Sequence, residues 1–521
     1  QFQFQFQFQF QWKRNRHITS SLLLLAFGAF ATAEEVLLQS QSPYSIVIDG
    51  GSTGSRLHIF EFVVVNALTG DTDCRRLGSE RSHEPLANYH NHVNRTAVAN
   101  HLMPLFEYAA TVVPAAYHGS TSVQLAATAG MRLLAPHHQE AIYDDIYQGL
   151  LQHEQFVFRG IQRQDIVTLA GDLEGFYGAV AANFLTGLVD TKLKQSSPQH
   201  PPLGALDMGG SSTQIVYVPE RTNDTNDTSS TTTTAAATQP SAQPSAATHL
   251  MEDDFFSTSH LEYGVDTFRE RLWDTWVQDQ NNSNDNDESS TPKVIDNPCT
   301  FVGYEIEWKD YRLIGTGDST ACVQQVQRLI PHHEPDEKPL LEGTVGGVEH
   351  PPVRGKFFAM SLFFFTLDSL RALSKSSDDD GPSKDAYEAL NRSWPTPSIQ
   401  ELHDALDGLC SRNWHHELDD SIQHDAQHHA YTRPEVLPHR CIESVYMVTL
   451  LKDGYGFHPS SRDITFTFLV NGDEVEWSLG LALSMHAEQH NQQQTTPTIT
   501  ESNLTREEDC DIDDDDMGLA R

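Results

Sequence analysis

Basic residues are scarce in this chain of 521 residues: 34 Lys and Arg stand against 72 Asp and Glu, a formal net charge of −38. Such an excess of acid excludes the basic face that a nucleic-acid binder needs to neutralise phosphates. Cysteine is sparse as well, at six residues, too few for a scaffold held mainly by disulfides. Long apolar runs are also missing. Ile18 to Ala33 falls short of the roughly 20 residues that span a bilayer, and the run from Phe357 to Thr366 is closed by Asp368 and Arg371. No Gly-Lys-Ser/Thr triplet ends a glycine-rich loop, so the chain has no P-loop.

What is present begins with processing sequence. After an alternating Gln-Phe stretch, Lys13, Arg14 and Arg16 precede the apolar run, and Ala31-Thr32-Ala33 resembles a signal-peptidase site. Residues 1–33 therefore read as a signal peptide or a signal anchor, which directs the folded part to the secretory pathway. In that oxidising compartment the sequence neighbours Cys299 and Cys322, and Cys410 and Cys441, are expected to pair, while Cys74 and Cys510 are left unassigned. Each bridge of that loop size stabilises by roughly 3 kcal/mol in the chain-entropy model. Glycosylation sequons begin at Asn94, Asn223, Asn226, Asn281, Asn391 and Asn503.

Residues 221–248, 279–290 and 374–383 are polar and low in complexity, so they read as surface insertions, and 491–521 reads as an acidic, solvated tail. The histidines between His403 and His439 repeat no zinc spacing and are expected at the surface.

The informative feature occurs twice. Ile46-Val47-Ile48-Asp49-Gly50-Gly51-Ser52-Thr53-Gly54-Ser55-Arg56 and Ala205-Leu206-Asp207-Met208-Gly209-Gly210-Ser211-Ser212-Thr213-Gln214 each read as strand, Asp, glycine-rich turn with hydroxyls, strand. Glycines let backbone N–H groups converge on one anion, hydroxyls add donors, and the Asp can hold a cation beside a phosphate. Two such hairpins facing one another clamp a phosphate chain. The Gly50–Gly54 segment also satisfies the G-x-S-x-G hydrolase elbow, but that motif needs a helix after the Ser and here a strand follows. A plain structural hairpin accounts for one copy but poorly for two.

These hairpins, together with Leu125-Ala126-Ala127-Thr128-Ala129-Gly130-Met131-Arg132 and Leu169-Ala170-Gly171-Asp172-Leu173-Glu174-Gly175-Phe176-Tyr177-Gly178, resemble the apyrase conserved regions of the nucleoside triphosphate diphosphohydrolases. Asn297-Pro298-Cys299, Gly454-Tyr455-Gly456-Phe457 and Trp477-Ser478-Leu479-Gly480 extend the resemblance. It implies an α/β fold of two ribonuclease H-like lobes, as in actin, hexokinase and heat-shock ATPases, with the site in the interlobe cleft. The expected lobes are 44–170, with 452–490 returning to it, and 171–451.

Leu173, Phe176, Val180, Phe184 and Leu188 recur at helical spacing as a buried stripe, with Glu174 beside it. By resemblance Glu174 is the general base, Ser212 and Gln214 hold the attacking water, and Thr128 lies near it. Asp49 and Asp207 then position Ca²⁺ or Mg²⁺, mainly through water. Gly51, Ser52, Thr53, Gly54, Ser55, Arg56, Gly209, Gly210, Ser211, Ser212 and Thr213 bind the terminal phosphates. Phe365 matches the aromatic that stacks on the base, with Tyr431 a loose second match, and Arg132 reads as a structural ion-pair partner. Ala179 stands where the family usually has Trp, which bears on local packing or rate.

His58 resembles the Golgi and endoplasmic-reticulum diphosphatase branch, and at most three disulfides separate the chain from cell-surface members. No second hydrophobic segment follows Trp477, which argues against a doubly anchored ecto-enzyme. The expectation is hydrolysis of GDP and UDP in the lumen, with broad ATP and ADP hydrolysis, polyphosphate hydrolysis, or an inactive acidic scaffold as alternatives. Apart from the nucleotide and membrane contact through an N-terminal anchor, no partner or oligomeric state is implied.

Overall fold

The structure is a computed structural model that describes residues 42–91, 94–197, 199–219, 249–283, 293–331, 344–375, 382–415 and 422–495. The leader 1–33, the insertion 221–248, Cys510, and the sequons at Asn223, Asn226 and Asn503 lie outside them.

Two five-stranded sheets carry the fold. The first is built from β1 (Tyr44–Gly51), β2 (Gly54–Asn66), β3 (Asp71–Ser82), β4 (Ser122–Ala127) and β5 (Ile166–Thr168) in the order β3-β2-β1-β4-β5. Tight turns make β1, β2 and β3 antiparallel, whereas helical crossovers make β4 and β5 parallel to β1. The second comprises β6 (Gly204–Met208), β7 (Ser212–Tyr217), β8 (Phe256–Leu261), β9 (Phe357–Ala359) and β10 (Ile464–Phe466) in the order β10-β9-β6-β7-β8. The same rule holds there: β6, β7 and β8 are antiparallel, and β9 and β10 run parallel to β6. The two orders are identical, so the duplicated hairpin belongs to a duplicated ribonuclease H-like lobe.

Outside the first sheet, α1 (Ala97–Val112) and α2 (Pro136–Gln152) bury Leu102, Phe106, Ile142 and Ile146 against Ile46, Ile48 and Leu125. Between the sheets run α3 (Gly171–Leu185) and the closing helix. Helix α4 (Val265–Ser283), α5 (Leu362–Leu373) and α6 (Arg440–Thr449) belong to the core of the second lobe, with Phe268, Phe363, Leu367 and Val445 packed together. The closing helix α7 (Trp477–Thr495) packs on β1, β2 and α3.

Several boundaries differ from the sequence reading. Residues 464–466 form the edge of the second sheet, so the return to the first lobe starts later than expected, with Glu474 and Glu476, which pair with Arg56 and Arg76, and continues into α7. Asp279 to Ser283 continue α4, and Pro382 and Ser383 open the helix Pro382–Ser393, because both flanks carry enough helix-forming residues to propagate into the polar stretch. Residues 491–495 likewise belong to α7. Helix α3 ends at Leu185, leaving Leu188 beyond it, and its burial is not a stripe: Gly175, Gly178, Ala179, Ala181 and Ala182 are buried opposite Phe176 and Val180. Small side chains on that second face let α3 lie wedged between layers. At its crossing with α7, a Cβ on Gly480 would collide with the carbonyl oxygen of Tyr177, so the two backbones touch where glycine is required. Ala179 sits in this crowded seam with no exposure.

Disulfides join Cys299 to Cys322 and Cys410 to Cys441, as compartment and spacing suggested, and Cys74 is a buried free thiol. Asn94 and Asn281 are exposed. The Asn391 side chain, by contrast, is engaged by Arg371 and by the carbonyls of Tyr387 and Arg371, so this sequon is structural. Of the histidines expected at the surface, His429 is tied to Asp368 at 3.2 Å and His439 is half-buried beside Trp273.

Candidate functional site

The cleft has a volume of about 610 Å³ and is walled by the two hairpins, α3, the start of α5, and the segment from Ala430 to Glu443. In the first hairpin Gly51 pairs with Gly54, leaving Ser52-Thr53 as a two-residue tip, and Asp49 lies opposite Arg56. In the second, Asp207 lies opposite Gln214, and the turn closes by the Gly209 N–H donating to the Ser212 carbonyl at 2.9 Å. The tips face each other: a Cβ placed on Gly210 would stand 2.9 Å from Ser52 Oγ. Glycine at 210 is therefore what lets the hairpins approach. A strand, β2, follows Ser52 directly, which removes the hydrolase-elbow reading.

Glu174, in the first turn of α3, is 7% exposed and faces the second hairpin. Arg132 Nη2 donates to Glu174 Oε2 at 2.8 Å and to Ser212 Oγ at 3.0 Å, while its Nη1 donates to the Leu169 carbonyl at 2.9 Å. Gln214 Nε2 reaches Glu174 Oε2 at 3.2 Å, Ser212 Oγ at 2.9 Å and Ser259 Oγ at 3.0 Å. Burial pushes the Glu174 carboxyl up to about 7, against the pull of Arg132 and helped by the charge of Asp207. A carboxylate poised at that value takes up a proton near neutrality far more readily than an exposed one.

Asp49 and Asp207 end their strands inside the cleft. Burial raises both carboxyls; at Asp49 Glu174, Glu476 and Asp207 add to the rise and Arg56 opposes it. At Asp207 the Ser361 hydroxyl and the Met208 backbone oppose the rise, and Glu476 adds to it. Asp49 Oδ1 is buried without a hydrogen-bond partner. Among the described residues no three His, Cys, Asp or Glu side chains converge as a metal cage. Crowded acids with a free oxygen suit a hard divalent cation that keeps water and phosphate oxygens as its other ligands.

Most of the expected site residues line this cleft: Asp49, Gly51 to Gly54, Arg56, Thr128, Glu174, Asp207, Gly209 to Ser212, and Phe365. Three do not. Ser55 is fully buried in the ladder of β2, and Thr213 turns into the core, donating to the Asp207 carbonyl at 2.7 Å and meeting the Tyr455 hydroxyl at 3.1 Å. Strand alternation is the reason, since neighbours of cleft-facing residues point to the opposite face. Gln214 touches the cleft through Glu174 and Ser212 rather than lining it. Arg56 lines the cleft while held by Glu474 at 2.8 Å. Arg132 is an ion-pair partner, of Glu174 itself. His58 is buried, 2.9 Å from Glu476, and does not itself line the cleft.

Sequence reasoning missed Arg81, whose Nη2 donates to Thr53 Oγ1 at 3.1 Å, and Arg433, exposed at the rim. It also missed Glu476, which His58, Arg56 and Arg76 hold below its ordinary range against the cost of burial. Ser361, a hydrogen-bond partner of Asp207, has φ +53, a left-handed conformation costly for a side chain and common at functional sites. Ser361 lies within the Phe357–Thr366 segment and Glu476 just before Trp477-Ser478-Leu479-Gly480, but neither was singled out, and for Arg81 and Arg433 only positive charge in an acidic chain offered a signal. At the outer end Phe365 and Tyr431 stand with ring centroids 5.4 Å apart, joined by Phe468.

Known proteins share both fold and sequence pattern. A nucleoside triphosphate hydrolase structure from Neospora caninum superposes with a TM-score of 0.54 over 88% of this chain and 95% of its own, at 14% identity, which supports the two-lobed fold. The ectonucleoside triphosphate diphosphohydrolase 1 of Mus musculus is 25% identical over 90% of this chain and 85% of its own length. The Golgi apyrase of Saccharomyces cerevisiae is 28% identical over 67% of this chain and 58% of its own. A family model described as GDA1/CD39 (nucleoside phosphatase) matches residues 35–498. Since that span holds both hairpins, Glu174 and the cleft between them, the chain belongs to this family and is a nucleotide-phosphate hydrolase.

Proposed function

We propose that the protein hydrolyses nucleoside diphosphates, GDP and UDP foremost, to the monophosphate and inorganic phosphate by direct in-line attack of water. The observation that carries this reading is the position of Glu174: buried at the cleft wall, accepting from Gln214 of one hairpin and from Arg132, which also donates to Ser212, and poised near neutrality. Glu174 takes a proton from the water as its oxygen attacks the terminal phosphorus, and the bond from that phosphorus to the bridging oxygen breaks. Ser212 and Gln214 orient the water, with Thr128 beside it. Backbone N–H groups of both tips, with Ser52, Thr53, Ser211, Arg56 and Arg81, bind the terminal phosphate. Positioning and charge neutralisation suffice for phosphoryl transfer to water, so no phosphoenzyme is needed.

Asp49 and Asp207 would hold Ca²⁺ or Mg²⁺, and the ion would supply neutralisation of the phosphate oxygens. Phe365 and Tyr431 receive the base. The leader, the two disulfides and the likeness to a yeast Golgi apyrase support action in the lumen of the secretory pathway. No helix among the described residues is long and apolar enough to cross a membrane. The match to a mammalian ectonucleoside triphosphate diphosphohydrolase favours a second reading, broad hydrolysis of ATP and ADP. Phosphate release from GDP, UDP, ADP and ATP under one metal separates them: the expected result is a higher kcat/KM for GDP and UDP, and an advantage for ATP reverses the assignment.

A further inference from the structure

The long hairpin of the first sheet runs past its neighbour. β1 begins at Tyr44, opposite Glu61, and the Phe62 N–H donates to the Pro43 carbonyl at 2.8 Å, so from Val63 onward β2 pairs only with β3 among the described residues. This free arm turns over residues 67–70 and stands at the end of the sheet away from Asp49 and the cleft. A turn in water ordinarily carries small polar residues. Here Val64, Val65 and Leu68 are 59%, 63% and 98% exposed, while the other exposed large apolar side chains among the described residues, such as Leu133 and Val294, are scattered singly along the chain. Neighbours on a strand point to opposite faces, so Val64 and Val65 make the arm apolar on both. A folded partner ordinarily covers one face of such a ribbon, whereas a fluid apolar medium covers both.

The root of the arm is fixed. The Phe62 and His486 rings stack with centroids 4.0 Å apart, His486 Nε2 lies 3.1 Å from Thr72 Oγ1, and Thr72 Oγ1 is 2.7 Å from Thr191 Oγ1. α7 therefore runs from the cleft, which Trp477 lines, to the base of the arm and on to Thr495, roughly 13 Å beyond His486. The chain enters its first strand at the same end, and only residues 34–42 separate Pro43 from the apolar run that closes at Ala33. Within the arm, the ladder to β3 takes up the backbone of the inner edge, and Asn66 Oδ1 accepts from the Leu68 N–H at 3.0 Å. A segment entering an apolar medium needs its backbone satisfied from within in this way. Charge around the root is balanced: Asp71 lies 3.6 Å from Lys192, Lys194 is close enough to act on it, and Asp73 is exposed next along β3.

We infer that the 63–70 arm docks on a lipid bilayer, with Val64, Val65 and Leu68 at the boundary between headgroups and acyl chains, and holds the cleft facing away from the membrane. Interfacial binding of this kind grows with the apolar area buried. Asp71 and Asp73 at the root limit the depth, since a carboxylate belongs among headgroups rather than in the acyl layer. The fitting surface is zwitterionic, because a chain of net charge −38 with no basic surplus at the arm is repelled by anionic lipid. The inference concerns attachment and stands apart from which nucleotide is hydrolysed.

The test uses the full chain and vesicles of phosphatidylcholine. In a Cys510→Ser background, Leu68→Cys carries an environment-sensitive fluorophore, and Val294→Cys, exposed in the second lobe, carries it as the control. The expected result is a blue shift at position 68 on adding vesicles, with quenching by lipid brominated in its acyl chains, and neither at position 294. Replacing Val64 and Val65 by Ser in the labelled protein should lower the fraction shifted at a given lipid concentration by about tenfold, with phosphate release from nucleotide unchanged as proof of folding. A label at 68 that stays in water in the presence of vesicles overturns the inference. So does a shift that needs anionic lipid, which makes the contact electrostatic, and so does a shift that grows with protein concentration without vesicles, which makes the occupant a second copy of the chain.

Discussion

The two phosphate hairpins share a sequence pattern and occupy opposite surroundings. The first ends in a two-residue tip, Ser52 half-buried and Thr53 exposed, beside Arg56 and Arg81, with Asp49 Oδ1 unpartnered. The second is buried along the whole of β7 and braced from outside, since the N–H groups of Glu262, Val265 and Asp266 donate to the carbonyls of Ser211, Gly209 and Gly210. Its Asp207 is further held by Ser361. A repeated motif thus fixes repeated backbone geometry without repeating the chemistry. The cationic, lightly held hairpin suits capture of a charged phosphate, and the braced one suits the water and its base, where an error of about an ångström in position is costly.

Removing the cation should erase both halves of that contrast, because each hairpin points a carboxylate into the same cleft. Excess EDTA is expected to abolish phosphate release, with Ca²⁺ or Mg²⁺ restoring it; full activity in chelator breaks the scheme. Glu174→Gln tests the braced half. Far-UV circular dichroism should stay that of the wild type while kcat falls by about 10² to 10⁴. Because Glu174 acts as the carboxylate and its group sits near 7, wild-type kcat/KM should rise with pH up to about that value and level off above it. That limb should vanish in the variant, and a surviving limb assigns the titration to another group. The smallest effect is expected from the capture half: in Arg81→Ala, KM for GDP should rise by about tenfold and its dependence on salt should flatten, with kcat nearly kept. A loss confined to kcat would place Arg81 on the side of the chemistry.

Local pattern made much of this visible. Asp49, Asp207 and the turns between their strands were legible because a glycine-rich turn with hydroxyls has few other uses, and its recurrence read as a clamp on one phosphate chain, whereas the two lobes followed from the family resemblance. Glu174 stood out only through the family resemblance, since a Glu in the first turn of a helix ordinarily just favours the dipole, while both disulfides were legible from spacing and compartment. What stayed hidden depends on partners distant in the chain. Arg81 joins the first tip from the far end of β3, and Arg440 lines the opposite wall of the cleft through neither motif nor period but through the packing of α6 on α5. The reading of α3 as one-sided failed because small residues carry little hydrophobic weight in a periodicity, although Gly175, Ala179 and Ala182 are buried as deeply as Phe176. Ser55 and Thr213 were assigned to phosphate by adjacency, where alternation along a strand decides which side a hydroxyl faces.

The backbone contact of Gly480 with Tyr177 has a mechanical consequence. α3 is packed on the second sheet and α7 on the first, and they meet at a point with no side chain between them. The contact resists compression, because the Tyr177 carbonyl already touches the Gly480 backbone, so it sets the spacing of the two layers. Any side chain at 480 would push the helices apart, and with them Glu174, in the first turn of one, and Glu476, just before the other.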